Sequence, residues 1–305
     1  MAKKYDVIII GGGPAGLTAG LYTSRDRLSS LLIEKAFIGG NINDAERVDN
    51  YPGFPDGIAG RELTRLMHDQ AKKFGLEVAS AEVTGIRLDK GPKTVITEAE
   101  TYTTKALILA GGSEREKLGV PGEAKFTGRG VSYCATCDAP FFNGKQVAVV
   151  GGGNAAIYEA LHLAKFASKV YIIHRRAELR ATAIAQEKAF AEPKIEFIWN
   201  TQVKAVGGET CVEYLGIKNV ETGKESVLPV NGVFPAIGLR PNTAYLKGIL
   251  ELDNIGRIIV NGKLETSAPG VFAAGDIRAG SIRQTIAAAG DGAAAAFYAK
   301  AFIEE

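Results

Sequence analysis

Hydrophobic and polar positions along this chain follow two periods. Unbroken apolar runs such as "VIII" (Val7 to Ile10) and "VAVV" (Val147 to Val150) have strand length and fall well short of a membrane span. The first run belongs to a strand expected over Tyr5–Ile10. Leu17, Leu21 and Leu28 then lie on one side of a helix, and "SLLIEK" predicts a second strand ending at Glu34. The same order returns mid-chain. A strand over Gln146–Val150 is followed by a helix carrying Ile157, Ala160, Leu161 and Ala164, then by a strand ending at His174. Near the C-terminus, Val271–Ala274 predicts a further strand that runs into Gly275-Asp276 and a helix of small residues.

Glycines sit where these strands meet their helices. Gly11, Gly13 and Gly16 follow the first strand in G-x-G-x-x-G spacing, with Pro14 and Ala15 between them; Pro14 suits the first turn of a helix. Glycines there permit a tight turn and a close backbone approach to a pyrophosphate, which faces the helix N-terminus, and Glu34 can accept from a ribose hydroxyl. The second unit has Gly151, Gly153 and Ala156, with Asn154 and Ala155 between. In place of an acid it carries His174, Arg175 and Arg176, with Arg180 one helical turn beyond. Arginine forks bind a 2′-phosphate that a carboxylate would repel, so this unit is expected to take NADPH. Two dinucleotide units in one chain suggest electron transfer, and the acid-ended one suits FAD. Asp276, at a strand end before a helix, could hold a flavin's ribityl chain and the edge of its ring.

Composition narrows the field. The chain has 305 residues, enough for two domains, and a net charge of +2, too small to point to nucleic acid or an anionic membrane. The N-terminus passes from two lysines straight into a glycine-rich turn without the longer apolar region of a signal peptide. With only three cysteines as well, a cytoplasmic location is expected.

Two of those cysteines lie in "SYCATCD" as Cys134 and Cys137, with Asp138 directly after. A Cys-x-x-Cys can clip a metal or cycle between dithiol and disulfide. A structural zinc site needs four ligands and often a second such pair, and the chain has none, so a redox disulfide is expected and no metal. Cys211 is expected to be a small buried hydrophobe, and His68 and His162 ordinary helix residues. Asp138 can exchange the protons that accompany disulfide reduction, or merely cap the segment that follows.

The segments "GGGPAG", "GGNINDAERVDNYPGFPDGIAG", "CATCD", "GGGNAA", "HRRAELRA", "AIGLRPNT" and "GVFAAGD" with its following "RQ" resemble, nearly end to end, the low-molecular-weight bacterial thioredoxin reductases, class II of the pyridine nucleotide-disulfide oxidoreductases. The resemblance implies an α/β fold of two Rossmann-like, three-layer dinucleotide-binding domains. The NADPH domain (115–244), carrying the redox disulfide, would be inserted into a FAD domain (1–114 and 245–305). Lys35, Gly40, Asn41, Asn50, Arg283 and Gln284 would join Glu34 and Asp276 around FAD. Electrons would pass from NADPH through FAD and Cys134/Cys137 to thioredoxin, with the inserted domain rotating between half-reactions and the chain acting as a homodimer. Alternatives are reduction of another small disulfide protein, such as a peroxiredoxin-linked or glutaredoxin-like carrier, and redox sensing without turnover. The chain departs from the family pattern at Asn41, where glutamine is usual, at Gly111, where threonine is usual, and at Tyr158, where glutamate is usual.

Overall fold

The computed structural model describes residues 2–45, 48–88 and 91–305, with the side chains of Asp44 and Cys137 outside that description. The chain forms two compact units, Met1–Glu114 with Arg240–Glu305 and Arg115–Leu239.

In the first unit β1 (Lys3–Ile10) leads into α1 (Pro14–Arg25), β2 (Ser30–Glu34), α2 (Gly60–Lys73) and β3 (Glu77–Ser80). The strands β4 (Val83–Arg87), β5 (Lys93–Thr97) and β6 (Thr101–Leu109) follow. They build one sheet in the order β3-β2-β1-β6-β5-β4. β1 pairs in parallel with β2 and β6, so both its neighbours arrive by crossovers. Both faces of the sheet are covered, which is why "VIII" has no polar position. Val7 and Ile9 join the core beneath the helices, while Ile8 and Ile10 join the core on the other face.

The chain leaves this unit through β7 (Ser113–Arg115). The second unit contains the short helices α3 (Glu123–Phe126) and α4 (Ala135–Asp138), then β8 (Gln146–Val150), α5 (Asn154–Ala164), β9 (Lys169–Ile173), α6 (Ala183–Ala191) and β10 (Ile195–Ile198). An antiparallel sheet of β11 (Thr201–Gly207), β12 (Tyr214–Asn219) and β13 (Glu225–Pro229) precedes β14 (Gly232–Pro235). The parallel sheet runs β10-β9-β8-β14. Val147 and Val149 pack toward α5, and Ala148 and Val150 toward the antiparallel sheet, giving three layers. The α/β architecture of two Rossmann-like domains that the resemblance implies is what the chain adopts.

The chain returns through β15 (Leu239–Pro241), which pairs with β7. The return falls between Leu239 and Arg240, five residues before the expected 244/245. Asn242 already donates to the Gly111 carbonyl (2.8 Å) and Thr243 to that of Gly256, so residues 240–244 belong to the first unit. Last come β16 (Val271–Ala273), parallel to the second half of β6, and α7 (Thr285–Glu304). The helical stripe expected through Leu28 stops early. α1 ends at Arg25 because Arg27 takes a left-handed conformation (φ 63°), and Leu28 reaches the core from the turn. Among the described residues, no helix is long and apolar enough to cross a membrane.

α7 lies against α1 so closely that a Cβ on Gly292 would stand 2.1 Å from the Ala15 carbonyl oxygen. Gly290, two residues earlier, has nothing within 4 Å. Replacing Gly292 with valine should force the helices apart and cost about 1–3 kcal/mol or more. Gly290→Ala should stabilise by about 0.5–1 kcal/mol, since it only removes backbone freedom. Urea unfolding of the two variants checks this; a Gly292→Val midpoint equal to wild type would mean the helices are not held at this distance.

Candidate functional site

Each unit presents a glycine turn between strand and helix. In the first, Gly11 adopts φ 110°, and a Cβ there would lie 2.3 Å from the Ala110 carbonyl oxygen. Gly16 is tighter still, 1.9 Å from the Gly11 carbonyl oxygen. Gly13 is open, with nothing nearer than 4.0 Å. α1 starts just after it at Pro14, with no side-chain cap from Gly13 and no acid in its first turn. The open backbone and uncapped helix start are what a pyrophosphate requires. Glu34 is aimed at this turn. One of its oxygens accepts from the Gly12 N–H (2.7 Å) and the other from the Ala36 N–H (2.9 Å). The residues present therefore fit the diphosphate and ribose of a dinucleotide.

Other predicted residues fall around the same unit. Gly40 (φ 61°) would place a Cβ 3.4 Å from the Gly13 Cα, so its loop borders the glycine turn. Asn41 donates to the Ser113 carbonyl (2.8 Å). Asn50 donates to the Gln284 side-chain oxygen (2.8 Å), joining residues 234 positions apart. Gly275 faces Ala15 so closely that a Cβ on it would stand 3.0 Å from the Ala15 Cβ. That brings the third motif to the first. Asp276 accepts from the Ser281 hydroxyl (3.1 Å), and burial pushes its carboxyl above the usual range. Arg283 is exposed and left-handed (φ 56°) immediately before Gln284. Lys35 is engaged otherwise, in ion pairs with Glu114 (2.7 Å) and Glu82 (3.9 Å).

In the second unit Gly151 (φ 154°) lies under the Ala236 carbonyl oxygen, 2.3 Å from a would-be Cβ. Ala156, buried, takes the third glycine's place, while Gly153 is open and Ala155 exposed. Asn154 accepts from the Thr182 N–H (2.8 Å). The basic residues divide into two kinds. His174 is buried, its ring 2.4 Å from where a Gly152 Cβ would be. Burial first, then Arg180 and Arg176, lower its pKa, so it is neutral at pH 7. Arg175, Arg176 and Arg180 are exposed, and the Arg180 N–H donates to the Gly152 carbonyl (2.7 Å), which ties that arginine to the glycine turn.

Cys134 is half-buried and disulfide-bonded. The Cys137 backbone lies in α4, but its side chain lies outside the described residues. Asp138 closes α4, its N–H donating to the Cys134 carbonyl (3.1 Å). Phe141, three residues on, is 72% exposed. Cys211 corrects an expectation. It is free and exposed, because the chain turns at Gly207-Gly208 (Gly208 φ 153°) and leaves it in the loop between β11 and β12.

Two groups escaped the sequence reading. Asp291 on α7 accepts from the Gly275 N–H (2.9 Å) and forms a two-point ion pair with Arg278 (2.6 and 2.8 Å). A lone acid within "AAAGDGAAAA" was the available signal. Glu123, buried, accepts from Leu118, Gly119 and Tyr133, and no spacing marks it.

Asp276 allows a test without any cofactor. Burial raises its carboxyl above 3.8 in the folded protein, so toward neutral pH the folded state bears a cost of burying the charge that the unfolded state does not. Asp276→Asn should therefore raise the melting temperature of cofactor-free protein at pH 7. The gain should shrink as pH falls through the raised folded value and vanish below the unfolded value near 3.8. A gain that persists at pH 3 would show that charge burial is not its source.

Comparison with known proteins agrees with this geometry. The model of the pyridine nucleotide-disulphide oxidoreductase family matches residues 5–292. A thioredoxin reductase of Listeria monocytogenes is 46% identical over 305 residues, covering 99% of this chain and 95% of its own length. The crystal structure of Lactococcus lactis thioredoxin reductase (FR conformation) matches with a TM-score of 0.95 at 41% identity, over 98% of this chain and 99% of its own. That of thioredoxin reductase from Streptococcus pyogenes gives 0.67 at 42% identity, over 100% of this chain and 99% of its own. With strand, glycine turn and helix twice over and a disulfide-bonded cysteine in the second unit, the chain belongs to the pyridine nucleotide-disulphide oxidoreductase family.

Proposed function

We propose that the chain is a thioredoxin reductase, passing electrons from NADPH through FAD and the Cys134/Cys137 pair to the disulfide of thioredoxin. The observation that carries this reading is the disulfide-bonded Cys134 in a chain with two dinucleotide turns, one followed by a carboxylate and the other by three exposed arginines. Thioredoxin reductases of this family use FAD and NADPH.

The first unit, with Gly11, Gly13, Gly16, Glu34, Asn41, Asn50, Asp276 and Gln284, binds FAD, and the second binds NADPH. Arg175, Arg176 and Arg180 take the 2′-phosphate, while His174, neutral and buried, supports the turn beneath it. FAD, when bound, supplies a two-electron acceptor for NADPH and a donor for a disulfide. The remaining chemistry belongs to the protein. Reduction breaks the Cys134–Cys137 bond, and Asp138 moves the accompanying proton. A thiolate of the pair then attacks the thioredoxin disulfide, forming a mixed disulfide that the second cysteine resolves. The sum is NADPH, a proton and one protein disulfide giving NADP⁺ and a dithiol. Phe141, exposed four residues after Cys137 in the chain, offers an apolar contact to the partner protein.

The cysteine pair and the arginines share one unit and the FAD-binding residues form the other, so we assign rotation of the second unit about the β7 and β15 crossings between half-reactions. The Lactococcus and Streptococcus structures support it. At 41% and 42% identity they match this chain over nearly their full lengths, and the Lactococcus structure is described as an FR conformation. We place the protein in the cytoplasm as a homodimer, following its family resemblance.

The decisive experiment mixes the FAD-loaded protein with NADPH and thioredoxin and follows NADPH absorbance. Cys134→Ser should abolish thioredoxin reduction while NADPH still bleaches bound FAD. Changing Arg175 and Arg176 to glutamine should raise the KM for NADPH at least about tenfold, because charge-assisted contacts contribute about 1.5–3 kcal/mol each. The KM for NADH should hardly move. Thioredoxin reduction by Cys134→Ser, or equal efficiency of the two nicotinamides in wild type, would sink the corresponding assignment.

A further inference from the structure

We propose that Glu123 is a positioning residue for the disulfide: its buried carboxylate fastens the segment just past the first crossing to the residue just before Cys134, so that the two move as one body. The inference rests on the redox reading of Cys134.

Glu123 is 3% exposed. A carboxylate at that depth persists only if hydrogen bonds replace its water. One oxygen accepts from the Leu118 N–H (2.7 Å) and the Tyr133 hydroxyl (2.6 Å), and the other from the Gly119 N–H (2.8 Å). These donors come from two separate stretches. Leu118 and Gly119 follow the crossing at Arg115 by a few residues, and Tyr133 adjoins Cys134.

The surroundings make the link stiff. A Cβ on Gly122 (φ 86°) would stand 1.9 Å from the Val206 carbonyl oxygen, so the turn that delivers Glu123 is pressed against β11. The Thr127 hydroxyl donates to the Glu123 carbonyl (2.9 Å). Burial, and then Glu123 itself, push the Tyr133 phenol well above its usual range, which keeps its proton on the donor at working pH. Beyond Tyr133, the Cys134 N–H donates to the Ser132 hydroxyl (3.1 Å) and the Ser132 N–H to the Val233 carbonyl (3.0 Å). The approach to Cys134 is thus held on one side to β14 and on the other to Glu123. Neither Glu123 nor Tyr133 has a role in the electron path itself. Their effect is on where Cys134 stands, and reaction geometry is sensitive to shifts of about 1 Å.

Two variants open the link at its two ends. Tyr133→Phe keeps the ring and removes the donor. Glu123→Gln keeps the shape but sets an amide N–H against a backbone N–H. In amide hydrogen exchange on cofactor-free protein, Tyr133→Phe should lower protection by about tenfold at Leu118 and Gly119 as well as at 132–134. Protection lost at 132–134 alone overturns the link. In rapid mixing of FAD-loaded protein, each variant should slow reduction of the disulfide about tenfold and leave NADPH bleaching of FAD unchanged. The double variant should be no slower than the slower single, as expected of one connected path. Wild-type rates, equal slowing of both steps, or multiplied slowing in the double variant each overturn the role of Glu123. Should Glu123→Gln not fold, Tyr133→Phe carries both measurements. Failure of reduced flavin to reduce the disulfide in the wild type overturns the redox reading of Cys134 instead, whereas failure to reduce thioredoxin overturns only the choice of partner, because disulfide reduction within the chain needs no thioredoxin.

Discussion

A Cβ at Gly16 would stand 1.9 Å from the carbonyl oxygen of Gly11, so α1 can leave β1 at this angle only with glycine there. Much of the first unit depends on that contact. It sets the start of α1 directly beyond the end of β1, where open backbone at Gly13 borders the helix N-terminus. It also keeps α1 low enough on the sheet for α7 to lie along it through Gly292. α7 in turn carries Asp291, which holds the Gly275 N–H, so the turn bearing Asp276 is placed by a chain of contacts that begins at Gly16. A bulkier side chain at the first link would move the last.

The second unit meets the same demand with different parts. Ala156 replaces the third glycine, while Gly151 yields space to the Ala236 carbonyl as Gly11 does to that of Ala110. The units differ where their ligands differ. Glu34 turns its carboxylate back onto the first glycine turn through Gly12. The second unit fills the corresponding space with the His174 ring over Gly152 and leaves its arginines in solvent. A neutral imidazole is suited to that position, because a charged one would be both desolvated and repelled by Arg180 and Arg176.

What was legible in the sequence follows from how local its cause is. The strand–glycine–helix units could be read because their pattern reports sterics within a few residues, and β2 ends at Glu34 as the apolar run implies. The end of α1 could not, since Arg27 takes a left-handed conformation that arginine only rarely adopts. Cys211 was misjudged for a similar reason, as its exposure is decided by the Gly207-Gly208 turn and not by the apolar residues beside it. The meeting of Asn50 with Gln284 was open only to resemblance, because the two are 234 positions apart and join through tertiary packing. Glu123 was invisible altogether. Nothing in its neighbourhood distinguishes it from an exposed glutamate in a turn, and its burial depends in part on the return of Tyr133 to the same spot, which no local pattern reports.

The acids that matter most share one task. Glu34 accepts from the N–H groups of Gly12 and Ala36, Glu123 from those of Leu118 and Gly119, and Asp291 from that of Gly275. Each serves a turn whose amides point away from any sheet ladder or helix and would otherwise lack partners. A carboxylate has two oxygens and can satisfy two such amides at once, or one amide and a side chain, as Asp291 does with Arg278. Glycine turns create this need, because the conformations that let backbone approach a ligand also remove it from regular pairing. These acids are therefore the complement of the glycines: one relieves the sterics of a tight turn, and the other satisfies the polar groups the turn exposes.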